Sequence, residues 1–374
     1  MDSIVREVVS RSGVQPRLPE SPMQRVGVDA EDAELERILA SLRTNIKIVG
    51  VGGGGCNTID RLVESGIVGA ELFAANTDAQ HLLIIRSPHK LLLGRRVTRG
   101  LGAGALPQVG EESAREAADE LRSVVQGADM VFITCGLGGG TGTGGAPVLA
   151  QLSKEAGALT IAICTFPFRA EGAIRAEGAI RAENAEYGLE KLRNFADTVV
   201  VIPNDKLLEL VPRLALNAAF KVADDVLMRG IKGITEVITK PGLVNLDFND
   251  IKTIMKGGGV AMIGLGESDR DNRAEEAIEE AINSPLIDVD ISAATGALVN
   301  VTGGNDMSVA EAEKVAEIVQ GRIAPNARII WGAAVDPSLE HKLRVMLILT
   351  GVRSKQILGP GEHVRAHGGV DIVR

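Results

Sequence analysis

The sequence predicts an α/β protein in which a long helix joins a parallel-sheet domain to a smaller second α/β domain. From residue 46 onward, apolar strand patterns alternate with helical patterns, which is typical of a parallel sheet covered on both faces. Residues 214–239 then form one uninterrupted helical pattern, which ends at Pro241 and Gly242. Four more strand-like segments follow, with helical patterns between them.

The predicted elements set the domain boundaries. The strands of the first domain are IKIVGVG, AELFAANTD, MVFITCG, LTIAICTF and TVVVIP, and its helices are NTIDRLVES, EESAREAADELRSVVQG and APVLAQLSKEAG. The second domain has the strands GVAMIGLGE, GALVNVTGG, ARIIWGAAV and LRVMLILTGV and the helices DRDNRAEEAIEEAIN and SVAEAEKVAEIVQ. We therefore expect domains over 45–215 and 241–356, joined by a helix over 216–240. An N-terminal extension (1–44, with a short helix at EDAELERILASL) and a tail (357–374) are expected to be flexible.

Composition narrows the function classes. The chain has 374 residues, of which 45% are hydrophobic and 24% charged, as in soluble globular proteins. The net charge of -9 argues against a nucleic-acid partner, and three widely spaced cysteines fit a reduced, cytoplasmic protein. The N-terminus has no signal-peptide pattern, and no apolar run approaches the ~18 residues of a membrane span, so no direct membrane insertion is expected.

Three glycine clusters lie beside predicted strands: GVGGGGCN at 50–57, GLGAGA at 100–105 and GLGGGTGTGG at 136–145. Glycine is costly to order, so such clusters indicate a ligand that contacts the backbone itself. Backbone N–H groups ahead of a helix bind phosphate, and loops at the carboxyl ends of parallel strands converge on one edge of the sheet. The sequence therefore predicts a site for a phosphate compound.

Two common phosphate loops are alternatives. A Walker-type loop is excluded because Gly-Lys occurs nowhere in the chain. Gly50, Gly52 and Gly55 form a literal G-x-G-x-x-G with Asp78 as the ribose acid, which would indicate an NAD-dependent oxidoreductase. That reading gives the 138–144 loop no role, and no later His, Lys or Tyr arrangement suits hydride transfer.

The motifs, taken in order, resemble those of the FtsZ family, the prokaryotic homologues of tubulin. They run from GVGGGGCN through NTDAQ, GAGALPQVG, GGGTGTG, TFPF, VIPNDKLL, AFKVADDVL and PGLVNLDFNDIKTIM to TGGNDMS, and cover roughly residues 46–352. The resemblance implies a tubulin/FtsZ-like fold with a Rossmann-like GTPase domain. It also implies binding of GTP and GDP, with Mg²⁺ held mainly by the phosphates and water, and head-to-tail polymerisation in cell division. A tubulin-like GTPase of cell shape is the alternative.

The same resemblance assigns nucleotide contacts. Phe220 would stack on the base, and Asp224 would accept the guanine N1–H and 2-amino protons. Without the resemblance these two residues are better explained as a core aromatic and a solvated helical acid. The remaining implied contacts come from the glycine loops and the NTDAQ segment: Gly53, Gly54, Gly55, Asn57, Asn76, Ala103, Gly104, Gly138, Gly139, Gly140, Thr141, Gly142, Thr143 and Gly144.

The segment NLDFNDIK supplies the implied catalytic residues Asn245, Asp247 and Asp250. The two carboxylates are three residues apart at a predicted helix start, so they share one side of its first turn. By spacing alone, helix capping is the better interpretation. In the family this loop enters the nucleotide site of the next subunit, where its carboxylates polarise the attacking water.

A tandem duplication interrupts the family pattern. Residues 169–180 read RAEGAIRAEGAI, where the family has a single E-G-x-x-R whose Glu contacts the ribose and whose Arg lies near the phosphates. Counted from the preceding strand, the matching pair is Glu171 and Arg175; counted back from the following helix, it is Glu177 and Arg181. We favour Glu171 and Arg181, with the six extra residues in the loop before the helix or in an added first turn.

The resemblance also implies partners. A second copy of the chain is expected in a head-to-tail homopolymer at the mid-cell division site. The tail GGVDIVR is expected to bind a membrane-anchoring adaptor, as FtsZ C-terminal peptides do, with a disordered end as the alternative.

Overall fold

A computed structural model of the protein describes residues 44–168, 177–210, 216–240, 242–244, 246–284, 286–287 and 291–352. The N-terminal extension up to residue 43 and the tail, on which two of the expectations fall, lie outside these residues. The strands of the described residues are β1 (Ile46–Val51), β2 (Ala70–Asn76), β3 (His89–Leu92), β4 (Met130–Gly136), β5 (Leu159–Phe166), β6 (Thr198–Pro203), β7 (Gly259–Ser268), β8 (Gly296–Gly303), β9 (Arg328–Val335) and β10 (Leu343–Thr350).

The helices connect these strands and cover the sheet. In the described parts of the chain they are α1 (Gly52–Glu64), α2 (Ala79–Ile84), α3 (Pro107–Glu116), α4 (Ala118–Val125), α5 (Thr141–Glu155), α6 (Glu177–Phe195), α7 (Asn204–Leu210), α8 (Leu216–Thr239), α9 (Phe248–Met255), α10 (Arg273–Ile282) and α11 (Val309–Arg322). None of the helices within those parts is long and apolar enough to cross a membrane.

All strands of the described residues join in one sheet, in the order β3-β2-β1-β4-β5-β6-β7-β10-β8-β9. Neighbours from β3 to β7 are parallel, as predicted for the first domain. β10 is antiparallel to both β7 and β8, and β9 is parallel to β8. β6 and β7 pair from Thr198↔Gly259 to Val200↔Ala261, so the two halves of the chain share one sheet.

The hydrophobic core lies on both faces of this sheet. Alternate residues of β1 show the division: Ile46 and Ile48 belong to one cluster, and Val49 and Val51 to the other. The first cluster includes buried residues of α1, α8 and α9, and the second includes those of α3 to α6, α10 and α11. This explains the nearly continuous apolar strands, since parallel strands covered on both faces bury every side chain.

The predicted long helix is present as α8, whose 24 residues connect the first six strands to the last four. Its Leu227, Ile231 and Ile234 are buried against the α1 side of the sheet. The helix therefore packs on both halves of the sheet rather than spanning solvent between two bodies.

Several local expectations differ from the structure. Strand β3 and helix α2 were not predicted, and the helix expected over 111–127 is two helices that meet at Ala117. The glycine clusters were expected to precede helices, but α1 begins at Gly52 and α5 at Thr141, within the clusters. The reason is close packing: a Cβ on Gly55 would overlap the carbonyl oxygen of Thr134, so only glycine lets α1 lie directly on β4.

The contact between α3 and α5 gives a stability prediction. A Cβ on Gly144 would overlap the backbone of Pro107 and Glu111, and backbone cannot move aside as a flexible side chain can. We expect Gly144→Ala to lower the free energy of unfolding by about 2–4 kcal/mol, measured by urea denaturation. Gly321→Ala is the control, because a Cβ there meets nothing within 4 Å. Equal midpoints for the two variants would contradict the packing argument.

Candidate functional site

A cavity of about 1080 Å³ opens at the carboxyl ends of the parallel strands. Gly136 at the end of β4, Thr165 near the end of β5 and Asn204 directly after β6 line it, together with residues of all three glycine clusters. Open α/β sheets bind ligands at this edge. Its size suits a ligand as large as a nucleotide with some of its water.

Helices α1 and α5 both begin at the wall of the cavity. Neither Val51, which precedes α1, nor Gly140, which precedes α5, caps its helix with a side chain, and neither first turn contains an acid. The first N–H groups of a helix have no partner within it, and the positive end of its dipole attracts anions. By contrast, Asp78, Asp247 and Ser308 cap α2, α9 and α11. Helices α3, α4 and α10 also begin without a side-chain cap, so what distinguishes α1 and α5 is that both begin at the cavity, where their first N–H groups can bind an anion.

The glycines around the cavity fall into two groups. A Cβ on Gly53, Gly104 or Gly139 would meet nothing within 4 Å, so open space lies above their backbone. A Cβ on Gly140 would come within 2.7 Å of the Gly104 carbonyl oxygen, and one on Gly142 within 2.6 Å of a carbonyl oxygen of β4. The first group leaves room for a ligand, and the second lets protein segments pack against each other.

The backbone N–H of Gly140 is already used in this structure. It donates to the carbonyl oxygen of Gly104 at 2.7 Å, which links the 136–145 loop to the 100–105 loop. The expectation that this N–H holds a phosphate therefore requires the 100–105 loop to move.

The two threonines of the 136–145 loop brace it. The Thr141 hydroxyl lies 2.6 Å from the Thr77 hydroxyl at the end of β2, and the Thr143 hydroxyl accepts the N–H of Gly138 at 2.9 Å. Both hydroxyls thus have protein partners, and Thr143 is fully buried. Their role in this conformation is to fix the loop, which leaves the N–H groups at the start of α5 toward the cavity.

Phe220 and Asp224, both on α8, line the cavity, and Asp224 contacts Arg61, about two turns along α1 from Gly53. The Phe220 ring packs edge-on against Phe168, with 5.2 Å between ring centroids. The Asp224 carboxylate is 16% exposed and lies 3.5 Å from the Arg61 guanidinium. Burial raises the pKa of Asp224 to about 6, although the Arg61 charge opposes that shift.

One face of α1 forms a charged wall that the sequence analysis missed, apart from Asn57. Asn57, Asp60, Arg61 and Glu64 are three or four residues apart and all line the cavity. The Arg86 guanidinium donates two hydrogen bonds, of 2.9 and 2.7 Å, to the Asp60 carboxylate and holds the pKa of that carboxyl below its usual range. The helical spacing after Asn57 was the available signal for Asp60, Arg61 and Glu64.

Asn204, in the VIPND motif, is a further cavity residue that the sequence analysis missed. It is only 4% exposed and lines the cavity, and its side-chain Oδ1 has no hydrogen-bond partner within the described structure. Buried acceptors are nearly always satisfied, so this oxygen is available to a ligand that carries an N–H or O–H donor.

Helix α6 meets the glycine loops just after the duplication. Arg181 lines the cavity, and its backbone carbonyl lies against Gly138. The Asn184 side chain donates to the carbonyl oxygens of Ala105, at 2.9 Å, and Gly138, at 3.3 Å. These contacts fix α6 against the two glycine loops, and the choice of Arg181 over Arg175 stays a prediction.

The other predicted contacts are distributed as follows. Those that line the cavity are Gly53, Gly54, Asn57, Gly104, Gly139, Gly140, Thr141, Gly142, Arg181, Phe220 and Asp224. Those described away from its lining are Gly55, Asn76, Ala103, Gly138, Thr143 and Gly144. Glu171, Arg175 and Asn245 lie outside the described residues, and Glu177 begins α6 with a side chain that is not described.

Asp247 and Asp250 are exposed and do not line the cavity. Asp247 is the N-cap of α9 and accepts the N–H of Asn249 at 3.0 Å, while Asp250 lies in the first turn. The predicted helix start is thus confirmed. Val244 and Ala333 form a bridge that fixes the segment before the helix to β9.

Comparison with known proteins agrees with this geometry. The sequence model of the tubulin/FtsZ family GTPase domain matches residues 45–212, and that of the FtsZ family C-terminal domain matches residues 259–353. The cell division protein FtsZ 1 of Archaeoglobus fulgidus is 57% identical over the full length of both chains. The cell division protein FtsZ of Haloferax mediterranei is 55% identical over 98% of this chain and 97% of its own.

Solved structures give the same result. The empty FtsZ dimer of M. jannaschii superposes with a TM-score of 0.81 at 53% identity, covering 86% of this chain and 92% of its own. GDP-bound CetZ1 of Haloferax volcanii, at 24% identity and a TM-score of 0.72 over 84% of this chain and 98% of its own, shares the fold. The oxidoreductase alternative finds no support. The chain belongs to the FtsZ family of cell-division GTPases within the tubulin/FtsZ fold.

Proposed function

We propose that this GTPase binds GTP in the cavity and hydrolyses it where a second copy of the chain supplies Asp247 and Asp250. The separation of the two halves of the site within one chain carries the proposal. The starts of α1 and α5 suit phosphates. The acids Asp60 and Glu64, which also line the cavity, lie about 10–16 Å farther along α1 and are therefore far from the proposed phosphates. Asp247 and Asp250 are exposed outside the cavity, where a neighbouring copy can be reached.

The cavity suggests one orientation of the nucleotide. The phosphates would lie against the starts of α1 and α5, where the backbone of Gly53 and Gly139 faces open space. Arg181, which lines the cavity, would lie near the phosphates. Of the two glutamates in the duplication, Glu171 is the proposed ribose contact.

The base would lie at the α8 side of the cavity. An ionised Asp224 accepts both the N1–H and the 2-amino protons of guanine, while adenine lacks this donor pair. Phe220 offers an apolar surface for the base, and the unpartnered Oδ1 of Asn204 offers one more buried acceptor. The observation favouring this end is a largely buried acid one turn from an exposed aromatic on the same helix.

Mg²⁺ would be held mainly by the phosphates and water. Within the described residues, no group of three or more His, Cys, Asp or Glu side chains could hold a metal ion. When bound, Mg²⁺ neutralises charge on the phosphate oxygens. The protein's own contribution there is the N–H groups and dipoles of α1 and α5.

Hydrolysis needs an oriented water molecule. In the proposed contact, Asp247 and Asp250 of one copy hold a water molecule in line with the γ-phosphorus of the GTP on its neighbour, with Asn245 beside them. The water oxygen forms a bond to phosphorus, the bond to the bridging oxygen of GDP breaks, and the water proton leaves to solvent or phosphate. Neither carboxylate has to be a strong base, because positioning supplies most of the acceleration.

A contact of this kind joins two different surfaces, and such contacts build a filament when the rotation between copies does not close a ring. Exposed apolar residues occur on both: Leu101 and Leu106 flank Gly104 of the cavity, and Leu243 and Val335 lie near the ends of the bridge formed by Val244 and Ala333. We propose a head-to-tail protofilament, located in the cytoplasm at mid-cell. The tail, residues 357–374, is the proposed attachment point for a membrane-anchoring adaptor.

GTP binding should weaken in mild acid. The pKa of Asp224 in the empty site is about 6, so as pH falls through 6 the carboxylate takes up a proton that GTP must displace. We expect the affinity to fall by up to about tenfold per pH unit below that point. Equilibrium binding measured from neutral pH to about pH 5 tests this, with Asp224→Asn as the control for protonation of the phosphates. Profiles of the same slope would contradict it.

A mixing experiment tests the shared site. Asp250→Ala leaves the cavity intact but removes an acid. Gly53→Glu places a negative charge at the phosphate end, in open space and in the first turn of α1, where the helix dipole tolerates it. Each variant alone should be inactive.

Mixed in equal amounts, the two variants should recover up to about one quarter of the wild-type rate. Half of the cavities and half of the acid loops are intact, and a productive contact needs one intact copy of each. Sedimentation checks that both variants enter the polymer. Co-sedimentation with no recovered hydrolysis would show that the acids do not act across the contact.

A further inference from the structure

A chain of three polar side chains connects the end of β2 to the cavity. Asn76 is 3% exposed, and its Nδ2 lies 3.1 Å from Nδ1 of His81. Nε2 of the same ring lies 3.1 Å from Oδ1 of Asn57, which lines the cavity. His81 was not among the residues that the sequence pointed to, and it lies on α2 outside the cavity lining.

A backbone N–H group sets the direction of the hydrogen bonds among Asn76, His81 and Asn57. Oδ1 of Asn76 accepts the N–H of Thr77 at 2.8 Å, so its Nδ2 must donate to His81. Nδ1 of His81 is then an unprotonated acceptor, and Nε2 carries the proton and donates to Oδ1 of Asn57. The atom of Asn57 left for a ligand is its amide Nδ2, a donor.

The histidine itself is held in place. Asp78 caps α2 and accepts the N–H groups of Gln80, at 2.9 Å, and His81, at 3.1 Å. Since the Asp78 carboxylate fixes the backbone and Asn76 fixes the ring, His81 contacts Asn57 from a rigid position. An asparagine without such a partner can turn its amide by half a rotation and offer a ligand either a donor or an acceptor.

We propose that His81 is a positioning residue that keeps the Asn57 amide N–H directed toward the nucleotide. The inference rests on the proposed function. Asn57 lies one turn after Gly53 and one turn before Arg61 on α1, between the proposed phosphate and base ends of the cavity. Its partner would therefore be an acceptor in the middle of the nucleotide, such as a ribose oxygen.

Two substitutions separate positioning from simple packing. His81→Leu removes both ring hydrogen bonds, whereas His81→Gln keeps one acceptor and one donor. GTP affinity should fall about 3- to 10-fold in His81→Leu and stay within about 2-fold in His81→Gln. In an Asn57→Ala background, His81→Leu should cause no further loss, because the residue that it positions is gone. Nitrogen NMR of labelled histidine should show His81 with Nδ1 unprotonated and Nε2 protonated.

Three binding results would each overturn the inference: wild-type affinity in His81→Leu, equal losses in the Leu and Gln variants, or an undiminished His81→Leu effect in the Asn57→Ala background. Histidine NMR that shows the opposite tautomer would also overturn it, even if His81→Leu did not fold. A wild-type protein that fails to bind GTP would instead refute the proposed function, so the two failures are distinguishable.

Discussion

Asp250→Ala is expected to lower GTP hydrolysis by the assembled protein at least ~100-fold while leaving GTP binding by isolated subunits unchanged. The carboxylate is exposed and does not line the cavity of its own chain, so its removal should not disturb binding there. Phosphate release measures the first quantity, and equilibrium binding of a fluorescent GTP analogue measures the second.

Asp250 is a cleaner target than Asp247, because Asp247 also caps α9 and its loss would cost about 1 kcal/mol of stability. Glu313→Ala, which removes an exposed acid from α11, is the matched control and should keep the wild-type rate. A fully active Asp250→Ala polymer, or a variant that no longer binds GTP, would contradict the role assigned to this carboxylate.

Asp224→Asn should weaken GTP binding at least about 100-fold and should favour xanthosine triphosphate over GTP. The asparagine amide presents an N–H donor to the 2-amino group of guanine, where two donors then face each other. Xanthine has a carbonyl oxygen at that position and can accept the same N–H. Competition binding with the two nucleotides measures the change.

Asp225→Asn is the control, since Asp225 is the adjacent acid on α8 and pairs with Arg229 at 2.7 Å. It should leave nucleotide preference unchanged. Retention of GTP preference in Asp224→Asn would show that another group selects guanine.

Asp224→Asn should also stabilise the protein when no nucleotide is bound. Burial raises the pKa of Asp224 from 3.8 to about 6, so the folded state holds the proton more tightly than the unfolded chain. The free energy of unfolding therefore falls as pH rises from 3.8 to about 6, and this cost persists at higher pH. Without nucleotide at neutral pH, Asp224→Asn should be more stable by about 1–3 kcal/mol in urea denaturation. A destabilised variant would contradict the origin of the shift.

The glycine clusters at 50–57 and 136–145 indicated where the cavity lies because each follows a predicted strand of the parallel sheet, β1 and β4 in the structure. They did not reveal which glycines face a ligand. Gly53 and Gly139 face open space, whereas Gly140 and Gly144 lie against the backbone of other segments. That distinction depends on how α3 and the 100–105 loop pack on α5, and no local pattern encodes it.

Pairs of residues far apart in the sequence could not be predicted either. Arg61 and Asp224 come together only because α8 packs beside α1, and Asp60 meets Arg86 only because the chain turns back after α2. The start of α9 at Asp247 was predictable, since spacing and capping are local. The proposed action of Asp247 and Asp250 on a second copy comes from the family resemblance, because a single chain does not contain that contact.

If the active site forms only between subunits, GTP hydrolysis per subunit must depend on protein concentration. We expect negligible hydrolysis below a critical concentration and a steep rise above it, absent in Asp250→Ala. Hydrolysis per subunit that is independent of concentration and unaffected by the substitution would contradict a shared active site, because each chain would then be catalytically complete.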